Sequence, residues 1–160
     1  MGAIRAHGIE ASVPRGCEAR IFRRPASAGA VTFPVAHFST FSLPSDVADF
    51  GNGAVQLMGV DDLFVVLFEY GPESVGQPLF AHRGMPRTLG PGDFQPFRLR
   101  RGIGGQSGTQ WFFEEAGRPF TLYAVLGSHA RRGGRVPRLN DMLAGIRIHP
   151  ALPRPPSAWN

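Results

Sequence analysis

The stretch LFVVLFEYG, residues 63–71, decides the fold of this chain. Its first six residues are all apolar and rich in β-branched and aromatic side chains, and the turn-forming pair Gly71-Pro72 closes it. A short apolar run of this composition, bounded by turn residues, is typical of a strand that is buried on both faces. We therefore predict a strand here, at the centre of a sheet.

Two β-hairpins and one further strand are predicted around this centre. Residues 8–22 alternate between apolar and polar on both sides of a Pro-Arg-Gly turn at 14–16, and residues 109–126 carry aromatic side chains on both sides of Gly117. Both patterns indicate antiparallel strands joined by a short turn. The segment around Pro34 is also rich in β-forming residues, but proline cannot donate to the ladder, which favours an edge or a bent strand.

The last predicted element is an amphipathic helix. Its apolar residues recur at spacings of three, four and three: Val136, Leu139, Leu143 and Ile146. This is the spacing that places side chains on one face of a helix. Pro137 suits the first helical turn and Gly145 suits the end.

These elements predict an α+β fold, a curved and mostly antiparallel sheet of short strands with a C-terminal amphipathic helix packed on it. The length of 160 residues fits one domain, and the 21 glycines and 15 prolines favour short strands and many turns. We assign residues 1–149 to a single α+β domain and residues 150–160 to a proline-rich tail.

Cysteine content and hydropathy bear on the compartment. Cys17 is the single cysteine, so no disulfide can form within the chain, which fits a reducing compartment. The first twenty residues lack the apolar segment of about 7–15 residues that a signal peptide needs, and the apolar run at 63–68 is too short to span a bilayer. We expect a cytoplasmic location and no membrane association.

Motifs for catalysis and for metal binding are missing from the sequence. The glycine cluster GIGGQSG at 102–108 has neither the spacing nor the following helix of a dinucleotide-binding loop. No two histidines lie at the i, i+4 spacing that aims two imidazoles at one metal. We therefore expect no enzyme activity, no catalytic residue, no cofactor and no metal site. One catalytic alternative stays open: an unrecognised site in the long loop at 71–108 that uses Glu69 or His82.

Glu69 has a second interpretation, because it lies within an otherwise apolar strand. A buried carboxylate needs a partner of opposite charge or several hydrogen bonds. An ion pair with an arginine is therefore preferred over a catalytic role.

Positive charge is concentrated in the second half of the chain. Residues 1–80 contain 5 arginines and 8 acidic residues, net −3, and residues 81–160 contain 12 and 4, net +8. Two arginine groups flank the aromatic hairpin and, with one tryptophan, form the candidate binding set: Arg98, Arg100, Arg101, Trp111, Arg131, Arg132 and Arg135. Arginine beside displayed aromatic rings is typical of single-stranded nucleic-acid binding, but a core hairpin with solvated arginines gives the same pattern.

Four segments resemble a bacterial family of PsbP-like shape. They are GIEASVPRGCEARIF at 8–22, LFVVLFEYG at 63–71, EEAGRPFTLYAVLGS at 114–128 and LNDMLAGIRI at 139–148. The family's V-P-x-G-W motif is matched by VPRG at 13–16, with Cys17 where the motif has tryptophan. The resemblance implies an α+β sandwich that acts as an adaptor or assembly partner, with no catalytic residue to transfer.

Three functions therefore stand as hypotheses. The first is a non-catalytic protein-binding or adaptor module whose partner is another protein. The alternative is an arginine-rich binder of nucleic acid or of another anionic polymer. The third is an enzyme with its site in the 71–108 loop.

Overall fold

The computed structural model describes residues 2–25 and 30–151. Within these residues, eight strands form two antiparallel sheets and one helix lies near the C-terminal end: β1 Gly2–Ala6, β2 Ile9–Val13, β3 Glu18–Phe22, β4 Val35–Ser39, β5 Leu63–Glu69, β6 Ser107–Glu115, β7 Arg118–Leu126, α1 Arg132–Ala144 and β8 Ile146–Ile148. The larger sheet has the order β3-β4-β5-β7-β6, and the smaller sheet has the order β1-β2-β8. The predicted α+β class is confirmed, with the strands divided between two sheets.

Strand β5 lies at the centre of the larger sheet, as the apolar run predicts. It pairs with β4 on one side and with β7 on the other. Because successive side chains of a strand point to opposite faces, Leu63 and Val65 enter one hydrophobic core while Phe64 and Val66 enter another. All four side chains are fully buried.

Different elements cover the two faces of the larger sheet. On one face, the first core joins β5 and β7 to the smaller sheet through Ile9 and Ile146, and to the helix through Leu139. On the other face, the second core is covered by irregular segments that contribute Val47 and Val55. One face is therefore closed by regular structure, and the other by loops.

The hairpin predicted at residues 8–22 is wrong in its pairing, although both strands exist. Strand β2 pairs with β1 and β8, whereas β3 pairs with β4 in the other sheet. The predicted turn is present, since the Cys17 backbone N–H donates to Pro14 O at 3.1 Å. The hairpin partner of β2 is instead β1, across His7 and Gly8, whose φ angles of 51° and 75° suit a two-residue hairpin turn.

The prediction around Pro34 is wrong in part. Pro34 directly precedes β4, but β4 is an interior strand between β3 and β5. Because Pro34 lies outside the ladder, its missing N–H costs no strand hydrogen bond, and its carbonyl accepts from Glu69 N at 3.2 Å.

The C-terminal helix is confirmed, with corrections at both ends. It begins at Arg132, so Pro137 lies inside the helix and not in its first turn. It ends before Gly145, as predicted, but Ile146 belongs to β8, where it pairs with Ala11. The tail predicted at 150–160 lies outside the described residues from 152 onward.

The long loop predicted at 71–108 contains four short 3₁₀ turns that begin with proline, and it ends at residue 106 because β6 begins at Ser107. They span Pro72–Ser74, Pro78–Phe80, Pro91–Asp93 and Pro96–Arg98. Two points of this segment bridge to β6, at Arg83 and at Gln95. The segment therefore runs beside the outer edge of the larger sheet.

A buried histidine, His37 on β4, makes stability depend on pH. Its Nε2–H donates to the Asp49 carbonyl at 2.8 Å, and burial lowers its pKa more than that hydrogen bond raises it. Below the ordinary imidazole pKa of about 6.5, the unfolded chain binds the proton more readily than the folded chain does. Stability contributed by neutral His37 is thus present above that pH, and is lost as pH falls towards the lower pKa of the folded state.

We expect the free energy of unfolding to fall more steeply below about pH 6.5 in the wild type than in His37→Gln. Glutamine can keep the donor to Asp49 but does not titrate. Urea denaturation at a series of pH values measures the difference, and the remaining histidines are common to both proteins. Parallel pH profiles for the two proteins would contradict the assignment.

Candidate binding surface

Aromatic rings gather on the loop-covered face of the larger sheet. The register places Phe68 of β5 and Phe112 of β6 on either side of Thr121 of β7, so both rings point to this face. Neighbouring loops add three more rings, so the cluster comprises Phe50, Phe68, Tyr70, Phe80 and Phe112. All of them except Phe80 are only half-buried. The cluster therefore reaches solvent.

Arg100 lies on this cluster. Its guanidinium carbon is 3.6 Å from the Phe50 ring centroid, the geometry of a cation–π contact. Its backbone N–H donates to the Tyr123 hydroxyl at 2.8 Å, which fixes the loop before β6 to the sheet. Burial raises the pKa of Tyr70, and the positive charge of Arg100 opposes that rise. The cation is thus held beside three aromatic side chains.

The positive charge of this region is not neutralised by the described residues. Arg98 and Arg101 are exposed and contact neutral oxygens, the Asp93 carbonyl at 3.4 Å and Asn52 Oδ1 at 3.1 Å. None of the ion pairs within 2–25 and 30–151 includes Arg98, Arg100 or Arg101. We name these three arginines and the four half-buried rings Phe50, Phe68, Tyr70 and Phe112 the arginine–aromatic surface.

The second predicted arginine group, Arg131, Arg132 and Arg135, lies at the same end of the larger sheet. Its side chains make hydrogen bonds and one ion pair within the chain. The loops before β6 and after β7 meet where His129 N donates to Gly105 O at 2.6 Å. Arg131 pairs with Asp61 at 3.1 Å, and Arg135 contacts the Asp61 carbonyl at 3.4 Å. Arg132 donates to the His129 carbonyl at 2.8 Å. All three arginines therefore hold loops in place, and among the described residues only Arg131 of this group is neutralised by an ion pair.

Trp111 is a weaker candidate than the sequence suggests. Its side chain is half-buried against the first core, and its indole N–H donates to Thr109 Oγ1 at 3.1 Å. The next ring on the same face of β6, Phe113, is fully buried. Most residues of the β6–β7 hairpin are thus buried. Sequence analysis missed Phe50 and Tyr70 as site residues, because Phe50 comes from a loop and Tyr70 lies just beyond β5.

A cavity of about 590 Å³ lies at the other end of the larger sheet, next to Glu69 and Arg118. The Arg118 Nε–H and one Nη2–H donate to the Glu69 carboxylate at 3.0 and 2.5 Å. The three other N–H groups of the guanidinium have carbonyl acceptors on His7, Gly8 and His149. All five donors are used. The predicted ion pair of Glu69 with an arginine is therefore present, and both oxygens of the Glu69 carboxylate accept hydrogen bonds from Arg118.

The two acidic residues of the β6–β7 hairpin form ion pairs with other arginines. Glu114 contacts Arg83 at 3.3 Å and Glu115 contacts Arg87 at 3.1 Å. His82, the second residue of the catalytic alternative, lies beside Trp111 with ring centroids 5.9 Å apart. Its backbone carbonyl accepts from Glu114 N.

No cluster of three or more His, Cys, Asp or Glu side chains in 2–25 and 30–151 is placed to hold a metal ion. No helix in the same ranges has both the length and the apolar character to cross a membrane.

Comparison with protein-family models, with curated proteins and with solved structures gives no match to this chain, so the PsbP-like resemblance stays a prediction.

Proposed function

We propose that this chain is a non-catalytic binding module that docks an acidic segment of a partner protein on the arginine–aromatic surface. The observation that carries the proposal is Arg100, an exposed cation stacked on Phe50 beside half-exposed rings. Arginine and aromatic side chains are enriched in protein interfaces and dominate their binding energy. Uncompensated positive charge also favours an acidic partner, because complementary charges speed association and exclude wrong partners.

The ring geometry favours a polypeptide over nucleic acid. Stacking of bases requires open ring faces. Here Phe50 stacks on Phe68 at 5.0 Å and carries the Arg100 guanidinium, while Tyr70 packs edge-on against Phe80 at 5.2 Å. Rings packed in this way present edges and partial faces, which leaves little open ring face for base stacking. The arginine-rich nucleic-acid binder is thus the second candidate.

We expect Arg98→Glu/Arg101→Glu to weaken binding of a fluorescent random copolymer of glutamate and tyrosine by at least about tenfold. Both side chains are exposed, so the reversal removes surface charge and leaves the Arg100 stacking in place. The matched control is Arg5→Glu/Arg15→Glu, which changes the net charge equally at two other exposed positions. Fluorescence anisotropy at several salt concentrations measures both affinities.

An equal loss in the control variant would show attraction by overall charge and would overturn the proposal. A labelled oligo-dT of matched charge gives the second comparison. If oligo-dT binds more tightly than the copolymer, and the Arg98→Glu/Arg101→Glu variant loses that binding, the nucleic-acid function replaces the protein-binding one.

A further inference from the structure

Strand β6 is an edge strand of the larger sheet, and alternate residues aim their backbone groups outward. The Gly108 N–H and carbonyl both bond to Gln95, at 3.1 and 3.0 Å, and therefore point away from β7. In an antiparallel pair, the residues that face away from the partner strand recur at every second position. The backbone groups of Gln110, Phe112 and Glu114 thus point outward as well.

Two short segments of the chain bond to the ends of this edge. At one end, Gln95 pairs with Gly108. At the other, Glu114 N donates to the His82 carbonyl at 2.9 Å, and Gly84 N donates to the Glu114 carbonyl at 2.8 Å. The residues between them leave the edge and cross towards the helix, where the Leu89 backbone makes two hydrogen bonds of 2.9 Å with the Asn140 side chain.

An open window remains between the two ends. Among the described residues, no backbone group bonds to the outward N–H and carbonyl of Gln110 or of Phe112. Both residues are partly exposed to solvent. Among the described residues these four outward groups therefore have no backbone partner, and a buried N–H or carbonyl without a partner is costly. An unpaired stretch of edge is a template for another strand.

We propose that an extended segment of a partner protein adds to β6 as a short strand and pairs with Gln110 and Phe112. The inference deepens the proposed function and rests on it, because Phe112 belongs to the arginine–aromatic surface. The window extends over six residue-to-residue steps from Gly108 to Glu114, about 20 Å, which accommodates a strand of three to five residues. A second copy of the nine-residue β6 is excluded, because it would collide with the segments that hold the two ends.

The two sides of the window favour a specific peptide pattern. On one side lie Phe112, Tyr70 and the free charge of Arg100. On the other lie Trp111 and His82. Successive side chains of an added strand point to opposite sides. The segment that fits therefore alternates acidic residues, towards Arg100, with apolar residues, towards Trp111, and strand addition of this kind is an established mode of peptide recognition.

Amide hydrogen exchange measured by NMR tests this inference residue by residue. In the free protein, we expect the N–H groups of Thr109, Trp111 and Phe113 to exchange slowly and those of Gln110 and Phe112 to exchange rapidly. The probe is the peptide acetyl-Glu-Val-Glu-Tyr-Glu-Val-Glu-amide. At saturation it should slow exchange at Gln110 and Phe112 by at least about tenfold, with little change at Trp111.

A proline substitution gives an independent measurement. Gln110→Pro removes one outward donor and no backbone bond to β7, which edge strands tolerate. Gln110→Ala is its matched control, because both variants lose the hydrogen bond from Gln110 Nε2 to Thr121 Oγ1 of β7. We expect peptide affinity to fall by at least about tenfold in the first variant and to stay within about threefold in the second. Equal affinities overturn strand addition, and if Gln110→Pro fails to fold, exchange in the wild type decides.

The outcomes separate the two proposals. If the peptide binds and the affinity depends on Arg98 and Arg101, but Gln110 and Phe112 stay unprotected, strand addition is wrong and the binding surface stands. If neither this peptide nor the glutamate–tyrosine copolymer binds at millimolar concentration, both proposals are wrong.

Discussion

Arg118→Leu is expected to lower the free energy of unfolding by about 3–5 kcal/mol, the typical cost of breaking a buried ion pair by removing one partner. The guanidinium and the Glu69 carboxylate are both buried, and leucine supplies none of the donors. The variant leaves a charged carboxylate without a partner. It also leaves the carbonyls of His7, Gly8 and His149 without the donor that joins them to the larger sheet. Urea denaturation at neutral pH measures the loss.

A double variant identifies the cause of this loss. Glu69→Leu/Arg118→Leu removes the uncompensated charge together with its partner, so it should be more stable than Arg118→Leu alone. Equal or lower stability of the double variant would assign the loss to the three carbonyls. A loss below about 1 kcal/mol in the single variant would mean that the pair contributes no more than a surface ion pair does.

Gly127→Ala is expected to lower the free energy of unfolding by up to about 3 kcal/mol, because the neighbouring backbone leaves no room for a side chain. A Cβ atom at this position would overlap with the Gly59 carbonyl oxygen, and the Gly127 N–H donates to the Asp62 carbonyl at 2.9 Å. The strand end and the loop before β5 would have to separate. Thermal or urea denaturation measures the effect.

The control for this prediction is Gly104→Ala. A Cβ atom there meets nothing within 4 Å, and Gly104 has no positive φ angle. We expect a change within about 0.5 kcal/mol of the wild type, as for other exposed positions. If the two alanine variants are equally stable, the close approach of Gly127 to Gly59 is wrong.

Local patterns predicted strands better than their partners. Amino-acid composition predicts both the central strand β5 and the β6–β7 hairpin, and the structure confirms both. Alternation in β2 and β3 reveals which side chains face a core, but it carries no information on which sheet each strand joins. Ile146 fits a helical spacing as well as a strand, and only its pairing with Ala11 decides.

The candidate surface was predictable only in part, because local sequence patterns do not encode which distant residues come together. Clustered arginines are visible in sequence, but their neutralisation is not, since the partner of Arg131 is Asp61, seventy positions away. Phe50 came from a segment with no clear pattern, and its contact with Arg100 depends on how two loops meet. The open edge of β6 depends on hydrogen bonds from residues 82–95, which no periodicity encodes.

Because β2 pairs with β8, the smaller sheet can be completed only after the C-terminal part of the chain has been synthesised. Ile9 lies opposite Ile148, so the smaller sheet joins an early part of the chain to a late one. A chain that leaves the ribosome from its N-terminal end exposes the β1–β2 hairpin, with one edge unpaired, until β8 has been translated. Long-range pairing of this kind is slow, because a large loop must close before the contact forms. Ile9 can therefore pair with Ile148 only after β8 has been translated, and a nascent chain stalled before β8 leaves that edge of β2 without its partner strand.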